Sequence, residues 1–138
     1  MNDLITSEWI QKAEADFMAA TELLKLQVET IADPVCFHCQ QCAEKYIKAY
    51  LQHSSTEFPR THNLLELLSF CRDLDDSFSA VVAEMQSLNN YGVEVRYPGR
   101  FTSFEEAEGA VQAMETVRTF IRMKLNLEKT KDSEDTET

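Results

Sequence analysis

Residues 35–51 read VCFHCQQCAEKYIKAYL and hold three of the chain's four cysteines. These are Cys36, Cys39 and Cys42, spaced three residues apart, with His38 between the first two. On a helical wheel of 100° per residue, the three thiols fall within one arc about 120° wide, which they share with aliphatic and aromatic side chains. The spacing therefore predicts an amphipathic helix that turns its cysteines towards the core.

Clustered cysteines and a histidine also suggest a metal or redox site. A straight helix cannot fold three such thiols around one tetrahedral ion, because structural zinc sites use knuckles and loops. The order of the residues also differs from C-x-x-C-H, which attaches haem. We therefore predict no metal and no cofactor, and interpret Cys36, Cys39 and Cys42 as small buried residues that behave like alanine. Cys71, on a later predicted helix, has the same interpretation.

The composition bounds the class of protein. The chain has 138 residues, of which 43% are apolar and 27% charged, and this balance suits one globular domain. Three glycines and three prolines are too few for the frequent turns of an all-β fold. No apolar run approaches the roughly 20 residues of a membrane span, and the first residues lack the apolar segment of a signal peptide. We expect a cytoplasmic protein with reduced thiols.

The charge is strongly acidic. A net charge of −11, from 24 acidic and 13 basic residues, argues against broad electrostatic binding of nucleic acid but leaves room for a local basic patch. Residues 128–138 read EKTKDSEDTET and contain no apolar side chain. We predict an acidic disordered tail there, after one domain at residues 1–127.

Hydrophobic periodicity predicts an all-α protein, an antiparallel bundle of four to five helices with short connections. The helical segments cover residues 7–28, 35–51, 62–74, 78–91 and 103–127. Pro34 is expected to separate the first two helices, because the residue before a proline is pushed out of the α region. Thr61 is predicted to be the N-cap of the third helix. Ser103 and Glu106 are predicted to form a capping box at the start of the fifth.

The polar face of the second helix has two interpretations. It carries Gln41, Glu44, Lys45 and Lys48, beside His38. One interpretation is a solvated face in which Glu44 and Lys48 form an ordinary i,i+4 pair, and spacing alone favours it. The other is a face that contributes to a binding site.

Three stretches in order suggest a family. The second helix reads Q-x-x-E-K-x-x-K-A at residues 41–49, a T-H-x-L helix start follows at residues 61–64, and R-Y-P at residues 96–98 precedes a long last helix. Over about residues 7–125 the chain resembles the HEPN family (higher eukaryotes and prokaryotes nucleotide-binding domain). The resemblance implies a compact helical bundle, commonly a homodimer. Many members act with a minimal nucleotidyltransferase encoded beside them, often as toxin and antitoxin.

Other HEPN members are ribonucleases that use an R-x(4–6)-H motif across a dimer cleft. There, histidine acts as acid or base and arginine steadies the phosphate. In this chain Arg60 is the only arginine that precedes any histidine, it lies two residues before His62, and no histidine follows Arg96. The sequence departs from the ribonuclease motif, so we assign no catalytic residue.

A binding module fits the basic residues better. We predict that side chains from the second helix, from the loop before the third, and from the RYPGRF loop converge on an anion such as a nucleotide phosphate, with a tyrosine as a stacking face. These residues are Lys45, Lys48, Arg60, His62, Arg96, Tyr97 and Arg100. In the alternative, structural interpretation, Lys45 and Arg96 bridge acidic neighbours such as Glu44 or Glu94.

Three functions follow from these interpretations. The first, which we favour, is a non-catalytic HEPN protein that dimerises and binds a nucleotide, a nucleotidyltransferase partner, or both. The second is an RNA-cleaving toxin that uses His62 with Arg60 or Arg96. The third is a helical adaptor without a ligand.

Overall fold

The computed structural model describes residues 3–92, 98–99 and 101–127. In this part of the chain all regular structure is helical, which confirms the predicted all-α class. Three short 3-10 turns, at Glu29–Ile31, Asp76–Val81 and Asn89–Tyr91, lie between the α-helices. The α-helices are α1 (Asp3–Leu24), α2 (Ala32–His53), α3 (Leu64–Leu74), α4 (Val82–Leu88) and α5 (Phe104–Lys124). Within the described residues no helix is long and apolar enough to cross a membrane.

Helix α2 is the centre of the bundle, since it contacts each of the other four α-helices. Thirteen of its 22 residues are buried, far more than one apolar stripe provides, so α2 has neighbours on most of its circumference. Ala13 and Ala20 of α1, and Met114 and Ile121 of α5, are fully buried in the same core. Gln40, Glu44 and Lys48, three polar residues of α2, are therefore placed under other elements.

The cysteines are core residues, as predicted. All four side chains are free thiols with no exposed surface. Burial raises the pKa of Cys39 and of Cys42 far above the usual range for a thiol, and it raises the pKa of Cys71 to about 12. Among the described residues, no group of three His, Cys, Asp or Glu side chains is placed to hold a metal ion. These thiols contribute packing volume to the core.

Two predicted helix starts differ from the structure. Helix α2 begins at Ala32, so Asp33 is helical and Pro34 lies in the first turn. The predicted break at Pro34 is wrong, because a first-turn proline lacks only an N–H that would have no partner within the helix. The N-cap of α3 is Asn63 rather than Thr61, since its side chain accepts hydrogen bonds from Leu65 N and Glu66 N.

The start of α5 agrees with the prediction. Ser103 is the N-cap, and its side chain and that of Glu106 form both hydrogen bonds of a capping box. Asp33 of α2 also accepts a hydrogen bond from Thr102 N at 2.9 Å, which attaches this helix start to the bundle. The predicted tail at residues 128–138 lies outside the described residues.

Candidate functional site

The polar face of α2 is buried at Glu44 and Lys48 and partly covered at His38, Gln41 and Lys45, so the expectation of a solvated face is wrong. Glu44 is 3% exposed, Lys48 7% and Gln40 not at all. The Glu44–Lys48 pair itself is present, at 2.9 Å. A ring from α1 lies over it, because Lys48 Nζ is 5.5 Å from the centroid of Trp9.

Glu44 is the centre of this buried polar cluster. Its Oε2 accepts a hydrogen bond from Lys48 Nζ at 2.9 Å and lies 3.0 Å from His62 Nδ1. Its Oε1 accepts a longer hydrogen bond, of 3.3 Å, from Gln40 Nε2. A buried carboxylate is tolerated when charged and hydrogen-bonding partners surround it in this way.

His62 connects the buried cluster to the surface. Its side chain is 68% exposed, while that of Glu44 is 4% exposed. Because a carboxylate accepts hydrogen bonds, the contact favours the imidazole form with a proton on Nδ1 and sets the orientation of the ring. Arg60, two residues earlier, is exposed and forms no hydrogen bond or ion pair with another described residue. We call Glu44, Lys48, Arg60 and His62 the His62 corner.

Gln40 holds the backbone of the His62 corner in place, and sequence reasoning missed it. Its side chain donates a hydrogen bond to the carbonyl oxygen of His62 at 3.0 Å and accepts one from Gln41 at 2.8 Å. Gly92 packs directly on it, since a Cβ at residue 92 would lie 3.1 Å from the Gln40 amide. Only the full burial of Gln40 distinguishes it from its neighbour Gln41, and burial was not visible in the sequence.

Lys45 belongs to a second cluster on α2. Its Nζ lies 2.6 Å from Asp16 Oδ2, and the other oxygen of Asp16 lies 2.8 Å from His38 Nδ1. Asp16 is 7% exposed, so this is an internal bridge between α1 and α2. The structural interpretation therefore describes Lys45 well, except that its acidic partner is Asp16 and not Glu44.

The predicted site residues fall into three groups. Lys48 and His62 meet on Glu44, and Arg60 lies two residues before His62 in sequence. Lys45 pairs with a different carboxylate. The remaining three predicted residues, Arg96, Tyr97 and Arg100, lie outside the described residues. Convergence of all seven stays a prediction.

A third polar cluster joins α1, α2 and α5. Glu14 accepts two hydrogen bonds from the Arg118 guanidinium, of 2.6 and 2.9 Å, and another from Tyr46 Oη. Arg122 donates to the same tyrosine oxygen at 3.0 Å. Burial acts to raise the pKa of Glu14, but the hydrogen bonds from Arg118 and Tyr46 outweigh it and the pKa lies below its ordinary value. This cluster clamps three helices together.

Known proteins share both the sequence pattern and the fold. The family model of the HEPN domain matches residues 6–124. The crystal structure of TT1696 from Thermus thermophilus matches with a TM-score of 0.71 and 23% sequence identity, covering 90% of this chain and 99% of that one. The crystal structure of an archaeal HEPN homologue matches with a TM-score of 0.67 and 20% identity, covering 86% of this chain and 96% of the other. No curated protein matches significantly.

The two kinds of match agree with the geometry. The matched range begins in α1 and ends at the last residue of α5, so it includes all the elements that build the His62 corner. The two crystal structures show that the same arrangement of helices persists at low sequence identity. The chain belongs to the HEPN domain family.

Proposed function

We propose that the protein is a non-catalytic HEPN-domain protein that binds the phosphate groups of a nucleotide at the His62 corner. The observation that carries this proposal is the pairing of a buried carboxylate with an exposed imidazole, Glu44 with His62. Because Nδ1 is held by the carboxylate, Nε2 is the ring nitrogen available to a ligand. The exposed guanidinium of Arg60 adds donors that suit phosphate oxygens.

The local charge supports an anionic ligand. Lys48 balances the charge of Glu44, and the pair is nearly enclosed. Arg60 then gives the corner a net positive charge, although the whole chain carries −11. A phosphate that approaches this corner meets the donors of Arg60 and His62, whereas the ammonium of Lys48 is already engaged.

Isothermal titration with ATP, GTP and tripolyphosphate tests the proposal. Arg60→Ala and His62→Ala should each weaken binding about tenfold, as expected for the loss of a charge-assisted hydrogen bond. Arg72→Ala and His53→Ala are matched controls, because both residues are exposed and lie on other parts of α3 and α2. Circular dichroism checks the fold of each variant. Absence of binding by the wild type, or equal losses in the control variants, would refute the proposal.

A second candidate function is RNA cleavage at the same corner. A carboxylate that orients a histidine is also the arrangement of general acid–base catalysis, and Arg60, two residues before His62 in sequence, has a guanidinium that suits a phosphodiester. Incubation with fluorescently labelled single-stranded RNA distinguishes the two functions. Cleavage that is retained by His53→Ala and lost in His62→Ala would favour the enzyme, and absence of cleavage favours the binding protein.

We also propose a homodimer that acts with a minimal nucleotidyltransferase, in a toxin–antitoxin type of pair. Membership of the HEPN family supports this partner class, and exposed apolar side chains such as Leu4 and Met18 offer surface for association. Sedimentation across micromolar concentrations tests the dimer. Sequencing of the neighbouring reading frames, and co-expression and co-purification with a minimal nucleotidyltransferase encoded there, test the partner. A monomer that purifies alone would refute both proposals.

A further inference from the structure

Trp9 is the only tryptophan of the chain and lies close to the His62 corner. Its ring centroid is 5.5 Å from Lys48 Nζ, which lies 2.9 Å from a Glu44 oxygen that is itself 3.0 Å from His62 Nδ1. Two side chains therefore separate the indole from the imidazole. The ring and the corner are near enough to contact different parts of one small ligand.

The indole also borders a surface groove. Ile5, Glu8 and Lys12 line it together with Trp9, and its volume is about 170 Å³. Ile5 is 39% exposed and its neighbour Leu4 is 73% exposed, so the groove continues into apolar surface. Ile5 lies one turn before Trp9 and Lys12 one turn after it, on the same side of α1. The groove thus combines an aromatic ring, an aliphatic wall and the ammonium of Lys12.

The ammonium of Lys48 restrains the orientation of the Trp9 indole, which suits the binding of a flat ligand. An ammonium over an aromatic face attracts the ring, and Lys48 is itself held by Glu44 inside the bundle. A ring held in one orientation loses little conformational freedom when it binds, so less of the binding free energy is lost. The side of the indole that borders the groove then offers an apolar surface on which a nucleobase can stack.

We infer that Trp9 stacks on the base of a nucleoside phosphate whose phosphate groups bind the His62 corner. The inference rests on the proposed function and adds to it the residue that recognises the base. The phosphates contact Arg60 and His62, and the base lies on Trp9 in the groove of α1. A free polyphosphate occupies only the first of these two sites.

Comparison of ATP with tripolyphosphate tests the inference by isothermal titration. Tripolyphosphate carries at least the charge of ATP, so electrostatic attraction alone does not favour ATP. The wild type should bind ATP about tenfold more tightly, as one base stacked on an aromatic side chain provides. Trp9→Leu should abolish this preference and leave the tripolyphosphate affinity unchanged, while Trp9→Phe should retain part of the preference. Phe101→Leu, which changes an aromatic side chain that is 80% exposed and does not line this groove, is the matched control.

Tryptophan fluorescence, excited selectively beyond the absorption of tyrosine, gives an independent readout, because Trp9 is the only tryptophan. ATP should quench this emission with the same dissociation constant as in the titration, and tripolyphosphate should not. This measurement needs only the wild type, so it decides the matter even if Trp9→Leu does not fold.

Three results separate the possibilities. Equal affinity for ATP and tripolyphosphate, or a preference for ATP that persists in Trp9→Leu, overturns the inference while the proposed anion site stands. If both ligands bind with equal affinity and neither quenches the Trp9 emission, the inference is also overturned. The groove would then bind something other than a base, such as a protein partner. Absence of binding by both ligands refutes the proposed function itself.

Discussion

Glu44 and His62 are 18 residues apart in sequence, and their side chains meet at 3.0 Å. The carboxylate is buried on α2, whereas the imidazole is exposed on the loop before α3. Lys48 is the third member of the cluster and is also buried. A single carboxylate therefore supports the interior of the bundle and orients a side chain at its surface.

The Glu44–Lys48 pair is expected to matter most when only one of its members is removed. Glu44→Gln leaves a buried ammonium without a counter-charge, so we expect the free energy of unfolding to fall by about 3 kcal/mol. Urea unfolding followed by circular dichroism measures this loss. The double variant Glu44→Gln/Lys48→Met should recover most of it, because an apolar side chain replaces the unpaired charge. Purely additive losses in the double variant would show that the two residues do not depend on each other.

Cys39 should tolerate a small residue and reject a charged one. Its side chain is fully buried, so Cys39→Ala should lower the free energy of unfolding by only about 1 kcal/mol, whereas Cys39→Asp places a carboxylate in the core without a partner and should cost several kcal/mol or prevent folding. Urea unfolding measures both changes. A stable Cys39→Asp variant would contradict this assignment of Cys39 to the core.

Thiol reactivity gives a second measure of the same core. Because burial raises the pKa of Cys39, Cys42 and Cys71, the thiolate form that reacts is suppressed in the folded protein. A thiol-specific chromogenic disulfide at pH 8 should therefore label none of the four cysteines rapidly in the native protein and all four in urea. Rapid labelling of the native protein would indicate an exposed or activated thiol.

Stability should fall in acid because Glu14 has a lowered pKa. The pKa of Glu14 lies below its ordinary value of 4.5, so the folded state binds this proton less readily than the unfolded chain. The resulting stability is fully present above about pH 5 and is lost as the pH falls through the folded-state pKa. In Arg118→Met, unfolding free energy at pH 7 should be lower by about 2 kcal/mol. Between pH 5 and pH 3, the free energy of unfolding of Arg118→Met should fall by less than that of the wild type.

A second carboxylate provides the control for this pH dependence. Hydrogen bonds from Lys124 and Ser77 lower the pKa of Asp75 from 3.8 to about 2. Lys124→Met should therefore flatten the stability curve only below about pH 4, whereas Arg118→Met acts from pH 5 downwards. Urea unfolding at pH 7, 5, 4 and 3 separates the two. Identical curves for both variants would disprove the assignment of the higher range to Glu14.

Two glycines should respond in opposite ways to a methyl group. Gly92→Ala places a Cβ 3.1 Å from the Gln40 amide, which bonds the carbonyl of His62, so we expect a loss of about 1–2 kcal/mol. Gly109→Ala is the matched control on the exposed side of α5, where a Cβ meets nothing within 4 Å. It should stabilise the protein by about 0.5–1 kcal/mol, because alanine favours a helix more than glycine does. Urea unfolding measures both variants, and changes of the same sign in their free energies of unfolding would contradict this prediction.

Local features of the fold were predictable from the sequence. The helical segments, the burial of the cysteines and the capping box of Ser103 and Glu106 depend on residues within one or two turns of each other. Hydrophobic periodicity and hydrogen bonds to the nearest backbone groups decide such features, so the printed order of residues contains them. The resemblance to the HEPN family was visible for the same reason, since its pattern consists of short ordered stretches.

The two helix starts that were predicted wrongly each had two alternatives that fit the sequence almost equally well. Thr61 and Asn63 both suit an N-cap, and which of them caps α3 depends on where the helix begins. Asn89 takes part in that choice from a distance, because its side chain accepts a hydrogen bond from Leu64 N at 2.7 Å. Pro34 was compatible with either a break or a first turn, and the structure places it in the first turn.

The sequence by itself determined that residues 41–48 carry a polar face on a helix, and it predicted Lys48 and His62 among the residues of one binding site. Only the tertiary structure decided which side chains meet on that face. Lys45 pairs with Asp16 across 29 residues, and Glu14 pairs with Arg118 across 104. Such contacts depend on how whole helices pack, which follows from the sum of many weak apolar contacts and not from any local pattern. That packing buries Glu44 and places His62 beside it at the surface of the bundle.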